Sequence, residues 1–172
     1  KAKPDYVTVG LINTIKISKE SMNIPLGSSL PYYLNGRGHI GNSEYIYKGP
    51  VININEITAD AGAVKKLTRP WLNAPYLWGG RTIMGVDCSG FVQVVFNMMG
   101  IQLPRDARQQ VKKGKLVKKL ADAVTGDLAF FNDKEEIVHV GILLSNEKII
   151  HASGRVRIDT IDKKGIINST TG

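Results

Sequence analysis

About a third of the way along the chain, the rhythm of apolar and polar positions changes. From Asp5 to about Asn55 it consists of short β-rich runs: Tyr6-Val7-Thr8-Val9, Thr14-Ile15-Lys16-Ile17, Tyr45-Ile46-Tyr47 and Val51-Ile52-Asn53-Ile54. Turn-forming stretches separate them at Gly27-Ser28-Ser29, Asn35-Gly36-Arg37-Gly38 and Gly41-Asn42-Ser43, a pattern that predicts a small all-β barrel. No helical periodicity of useful length precedes Ile57. The stretch from Asp60 to Leu67 then predicts a helix ending before Pro70, because the residue preceding a proline is pushed out of the helical region. This places a boundary near Glu56, with a barrel over 1–56 and a second unit over 57–172.

In the second unit, Cys88, Phe91, Val92, Val95, Phe96 and Met99 recur at spacings of three and four and make one apolar helical face, with Gly100 placed to stop the helix. A second helix is expected around Asp106 to Lys113. Four strands come next, Asp127 to Phe131, Ile137 to Leu144, Lys148 to Ala152 and Arg155 to Ile158, and they predict an antiparallel meander. Ser145, Asn146 and Glu147 form a hairpin loop between the second and third of these. With Asn146 at the tip, Gly141 lies opposite His151, and His139 stands two residues along on the same face. A two-residue loop would change the parity and put the histidines on opposite faces.

Composition narrows the class. The chain has 172 residues, 42% hydrophobic and 22% charged, enough apolar material for a globular core. No apolar run approaches the roughly 18 residues that would mark a membrane-spanning helix. The start at Lys1, with no basic-then-apolar leader, fits a mature or trimmed form. Net charge is 23 − 15 = +8, with lysines clustered at 112, 113, 115, 118, 119, 163 and 164. No aromatic residue interrupts the run from Lys112 to Lys119, so nucleic acid is not the expected partner, and a solvated basic face or attraction to an anionic envelope polymer fits better.

One cysteine, Cys88, rules out an internal disulfide and thiolate-rich zinc sites. It falls in the first turn of the predicted helix, where it either packs as a small hydrophobe or acts as a nucleophile favoured by the helix N-terminus. Of the three histidines, His139 and His151 can supply a base and a group that orients it. His39, in the polar Gly38-His39-Ile40 segment, is expected to be plain surface. Zinc held by Cys88, His139 and His151 remains an alternative, although no close-set ligand pair is present.

Six blocks in order carry a resemblance: Pro75-Tyr76-Leu77-Trp78-Gly79-Gly80; Asp87-Cys88-Ser89-Gly90-Phe91; Leu103-Pro104-Arg105-Asp106-Ala107 with Gln110; Gly126-Asp127-Leu128; Val138-His139-Val140-Gly141-Ile142; and Ile150-His151-Ala152-Ser153. Over about Ile57 to Gly172 the chain resembles the NlpC-type cell-wall cysteine peptidases. The continuation Gly154-Arg155-Val156-Arg157-Ile158, together with an N-terminal barrel, is most similar to the γ-D-glutamyl-L-diamino acid endopeptidases.

That resemblance implies an α+β, papain-like NlpC-type domain, helices packed on an antiparallel sheet, preceded by a bacterial SH3-like barrel. It implies Cys88 as nucleophile, His139 as base and His151 as the orienting residue. Tyr76 would assist at the oxyanion and Trp78 would line the site. Asp87 would bind the free amine of the substrate's N-terminal L-Ala, and Ser89 the α-carboxylate of D-Glu. Arg105 would add charge for a carboxylate or anchor the loop after Pro104. The implied reaction is hydrolysis of the γ-D-glutamyl bond to lysine or diaminopimelate in peptidoglycan stem peptides or muropeptides, with neither cofactor nor metal, by a monomer in the periplasm or outside the cell rather than in the cytoplasm. Relatives can carry a second barrel, and one fits here. The alternatives are a non-catalytic wall-binding module and a thiol-dependent acyltransferase on the same fold.

Overall fold

A computed structural model of the chain describes residues 5–167, so the outer ends of the two expected units, 1–4 and 168–172, lie outside it. Seven short strands come first: β1 (Tyr6–Thr8), β2 (Ile12–Ile17), β3 (Glu20–Pro25), β4 (Ser29–Leu30), β5 (Arg37–Ile40), β6 (Ser43–Ile46) and β7 (Val51–Asn53). They form two antiparallel sheets, in the orders β4-β1-β7 and β3-β2-β6-β5. Alternation along β2 sends Asn13 and Ile15 inward, where Ile15 joins Leu30, Tyr45 and Tyr47 in a small core. The Tyr47 hydroxyl donates to Asn13 Oδ1 at 2.7 Å, which satisfies two polar groups inside this core.

Several strands here differ from expectation, among them β4, which opens on Ser29 of an expected turn. Arg37-Gly38 reads as part of a turn, yet these residues open β5; Gly38 lies under the ring of Tyr45, where a β-carbon would come within 2.4 Å of the phenol. β3 has no counterpart in the sequence pattern, because its residues Glu20 to Asn23 are all exposed and give no alternation.

The first strands also pack on the second unit. Val7, Leu26 and Ile54 belong to the same large core as Phe91, Val95 and Met98. Helix α1 (Ala61–Thr68) starts at its N-cap Asp60, whose side chain accepts from Ala63 N, and runs into a single 3-10 turn over Arg69–Trp71 that accommodates Pro70. Short strands β8 (Arg81–Thr82) and β9 (Gly85–Val86) lead to α2 (Cys88–Met98), which Gly100 ends with φ +76°. α3 is only Ala107–Gln110, shorter than expected, because Val111 is already exposed and no further apolar position offers a face to bury.

The expected meander is present and longer by one strand: β10 (Leu128–Asp133), β11 (Glu136–Leu143), β12 (Lys148–Ser153), β13 (Arg155–Asp162) and β14 (Gly165–Ile167), hydrogen-bonded in that order. α2 packs against β11 and β12. Val140, Ile142, Ile150, Ala152 and Val156 supply the sheet's side of that core. This makes the molecule α+β, with helices preceding and covering an antiparallel sheet, as the sequence predicts.

Candidate active site

Register fixes the histidines. Ile142 pairs with Ile150 and Leu143 with Ile149, so the hairpin is centred on Asn146 and the two histidines share a face. Their rings meet: His139 Nε2 lies 2.8 Å from His151 Nδ1, nearly edge-on. A second hairpin, turning at Gly154, sets His151 opposite Arg157 and Ile149 opposite Asp159. Asp159 therefore stands diagonal to His151, within reach across the pleat. His151 Nε2 is 2.9 Å from Asp159 Oδ2, and the same oxygen accepts from Arg157 Nε at 2.8 Å. His151 and Asp159 are almost wholly buried, at 2% and 1% exposure.

Burial dominates the electrostatics of this row. It pulls His139 down to about 4, helped by the neighbouring His151 and by the positive charge of Arg157. It also lowers His151, against the opposing pull of the Asp159 carboxylate. Both imidazoles are neutral at physiological pH.

Cys88 is the first residue of α2, and Asp87 caps that helix, its Oδ1 accepting from Gly90 N at 2.7 Å. Gly90 is a glycine because a β-carbon there would come within 2.4 Å of the Gly80 carbonyl oxygen. The close approach seats the Tyr76–Gly80 loop on the first turn of α2. Three backbone N–H groups face the sulfur: those of Cys88 itself, Ser89 and Val140, the residue after His139. Val140 thus ties the thiol to the strand that carries His139, whose Nδ1 is the ring nitrogen not spent on His151. A helix start by itself would favour the thiolate. Instead, burial pushes the Cys88 thiol up, the Val140 N–H opposes this, and the Asp87 charge adds to the rise. The resting pair is a neutral thiol and a neutral imidazole.

Beside the thiol lies a second polar group of residues. Arg105 forks onto Asp87, through Nη1 to Oδ1 at 2.9 Å and through Nη2 to Oδ2, and Nη1 also donates to Ser89 Oγ at 2.9 Å. Gly79 N donates to Asp87 Oδ2 at 2.9 Å. Burial opposes ionisation of Asp87, but the Arg105 bonds and the N–H groups of Gly90 and Gly79 outweigh it and hold the carboxyl below its usual range. Gln110 braces the arrangement, donating to the carbonyls of Ser89 at 3.0 Å and Pro104 at 2.9 Å. The Tyr76 phenol is pushed up by burial and by Cys88 and Asp87, so it remains a donor close to the sulfur. Trp78 projects from the same loop and is 84% exposed.

All eight residues singled out in the sequence thus fall in two adjoining groups. His139 and His151 form one, linked to Cys88 through the Val140 N–H; Asp87, Ser89 and Arg105 form the other, with Tyr76 and Trp78 on the loop above. His39 stands apart, exposed and stacked on Tyr32 with ring centroids 4.0 Å apart. Among the described residues, no three metal-binding side chains converge on one point, and the facing nitrogens of His139 and His151 are spent on each other. Asp159 and Arg157 are members of the row that sequence reasoning missed. Their signal was the alternation Arg155-Val156-Arg157-Ile158-Asp159, whose polar positions are in phase with His151 once Gly154 is taken as the turn.

A thiol whose N–H partner Val140 adjoins His139 on its strand, with that imidazole backed by a second imidazole and a carboxylate, has the groups needed to attack a carbonyl carbon and pass a proton to a ring. A family model described as NlpC/P60 matches residues 73–172. A γ-D-glutamyl-L-lysine dipeptidyl-peptidase of Bacillus subtilis is 45% identical over 85 residues, 48% of this chain and 28% of that one. The chain therefore spans well under a third of that relative's length. A probable endopeptidase of Haemophilus influenzae is 39% identical over 119 residues, 66% of this chain and 71% of the relative. A crystal structure of an NlpC/P60 family protein from Bacillus cereus superposes with a TM-score of 0.79 at 24% identity, covering 95% of this chain and 60% of that one. This likeness concerns the fold.

Proposed function

The chain belongs to the NlpC/P60 family, and we propose that it is a cysteine endopeptidase of the bacterial envelope, hydrolysing the γ-D-glutamyl–L-diamino acid bond of peptidoglycan stem peptides. What supports this reading is that the Cys88 thiol is tied to the His139 strand through Val140 N–H and that the facing ring nitrogens of His139 and His151 stand 2.8 Å apart.

Cys88 Sγ attacks the γ-carbonyl carbon of D-Glu, and its proton passes to His139 Nδ1. The resulting oxyanion sits against the Cys88 backbone N–H and the Tyr76 phenol. Collapse breaks the C–N bond, and the departing amine of the diamino acid takes the proton from His139. A thioester remains. Water, deprotonated by His139, attacks it, and the γ-carboxylate of D-Glu leaves as the thiol is restored. Acylation and deacylation each begin with neutral His139, which takes up a proton and then gives it back, and burial holds the ring neutral at the start.

The Asp87–Arg105 pair supports recognition of a zwitterionic dipeptide. The ammonium of a free N-terminal L-Ala replaces the guanidinium at Asp87, and the guanidinium, already bonded to Ser89, turns to the α-carboxylate of D-Glu. Each charge exchanges one partner for another, so neither is left desolvated alone. The N-terminal strands, up to about Glu56, act as an SH3-like wall beside the site. In support, Leu11, Ile12, Ile24 and Pro25 meet Thr82 and Met84 of the loop that leads to Cys88, around a cavity of about 210 Å³.

The test is incubation with defined L-Ala-γ-D-Glu-L-Lys and L-Ala-γ-D-Glu-diaminopimelate peptides, the same peptides N-acetylated, and intact sacculi, with products identified by mass. Release of L-Ala-D-Glu from the free peptides is expected. Cleavage confined to sacculi, or at another bond, would overturn the assignment.

A further inference from the structure

Each hydrogen in the row behind Cys88 is dictated by the atom at its far end. Asp159 Oδ2 receives the Arg157 Nε–H, a group that can only donate, so this oxygen acts as an acceptor. At 2.9 Å from the same oxygen, His151 Nε2 must carry a hydrogen. A neutral imidazole has one N–H, which leaves His151 Nδ1 as a bare lone pair. His139 Nε2, 2.8 Å away, must then be the donor. The other nitrogen of His139, Nδ1, is left unprotonated.

We propose that Asp159 is a positioning residue: by accepting from His151 Nε2, with Arg157 Nε holding its oxygen in place, it fixes the tautomers of both histidines and keeps His139 Nδ1 free to take the thiol proton. This rests on the reading of Cys88 and His139 as nucleophile and base. It adds Asp159, whose side chain is wholly buried, and Arg157 to the row. Without the acceptor, a hydrogen on His151 Nε2 would be buried and unpaired, which favours moving it to Nδ1. That hydrogen would point at His139 Nε2 and require a lone pair there, placing the His139 hydrogen on Nδ1, where it blocks proton uptake.

Long-range 1H–15N correlation spectra of the 15N-labelled protein at neutral pH read the tautomers directly, with His39→Gln identifying the exposed ring. In the wild type, both His139 and His151 carry their hydrogen on Nε2; a hydrogen on Nδ1 of either ring overturns the proposal. Asp159→Leu removes the acceptor at similar volume, and both rings then switch to Nδ1–H while kcat falls by about 100-fold or more. Asp159→Asn keeps an oxygen that Arg157 can orient, so it retains the wild-type tautomers and loses less than about tenfold in kcat, with KM nearly unchanged. Asp159→Leu that folds and keeps both Nε2–H tautomers overturns the proposal, as does Asp159→Asn that switches them. Should Asp159→Leu not fold, the wild-type and Asp159→Asn spectra still decide. The spectra need no substrate, so a failed tautomer assignment is distinguishable from a failed assignment of the peptidase reaction.

Discussion

Gly141 leaves the space that His151 needs. A β-carbon at Gly141 would fall 2.9 Å from Cβ of His151, and 2.6 Å from Cδ1 of Ile149 beside it. The Ile149 contact is with the end of a flexible side chain, but the His151 contact lies next to the backbone and has no easy escape. Any side chain at this position would push apart the strands that bring the two rings to 2.8 Å.

Gly141→Ala is therefore expected to destabilise the fold by about 1–3 kcal/mol, the usual range for overpacking, and to reduce kcat by lengthening the His139–His151 contact. Denaturant unfolding and stem-peptide cleavage measure the two effects. Wild-type stability and rate in this variant would show that the sheet relaxes without moving the rings.

The pH dependence is set by the directions of the shifts. His139 must be neutral to accept the thiol proton, and burial sets its pKa at about 4, so kcat/KM should rise with pH through about 4 and then remain level through neutrality. The raised Cys88 thiol contributes no fall in that range. A resting thiolate–imidazolium pair would instead give a bell with a descending limb near neutrality. A pH–rate profile on a free stem peptide separates the two.

Stability carries the same sign. The folded chain holds His139 below the ordinary histidine value of about 6.5, so between that value and about 4 the unfolded chain binds more protons. His139 therefore stabilises the fold above about 6.5, and that contribution is lost as pH falls through 4. Thermal unfolding from pH 7 to 4 should show the decline, reduced in His139→Gln.

Asp87→Asn keeps an N-cap for α2, since asparagine caps as well as aspartate, but removes the charge that pairs with Arg105 and with the substrate ammonium. KM for L-Ala-γ-D-Glu-L-Lys should rise about tenfold or more, while the slower cleavage expected for the N-acetylated peptide should change little. Equal losses on both peptides would assign Asp87 to helix capping alone.

Gln110→Met removes the two bonds from Nε2 to Ser89 and Pro104 and leaves those carbonyls without that donor. A loss of about 1–3 kcal/mol is expected. KM should also rise, because the loop that presents Arg105 is no longer tied to the first turn of α2. Calorimetry and steady-state kinetics test the pair of effects.

What the sequence made legible was local. Alternation and an odd hairpin loop placed His139 and His151 on one face, and spacing of three and four placed Cys88 at the start of a helix that ends at Gly100. The Arg105–Asp87 fork was not legible, since it joins residues 18 positions apart across a turn that no periodicity describes. Neither was the state of the thiol, because burial by neighbouring elements, not the helix start, decides it. Asp159 escaped notice because its partner is set by a second hairpin, whose register the strand pattern alone did not give. β3 was hidden for the opposite reason: four exposed residues in a row carry no pattern.

The assignment of Cys88 as nucleophile is tested most directly by cleavage of L-Ala-γ-D-Glu-L-Lys in 18O-enriched water, with mass analysis of wild type and Cys88→Ala. Wild type should release free lysine and L-Ala-D-Glu carrying a single 18O in the new γ-carboxylate, with a dipeptidyl thioester on Cys88 in quenched samples, and Cys88→Ala should release nothing. Equal release by Cys88→Ala, with no thioester trapped on Cys88 of the wild type, would contradict it.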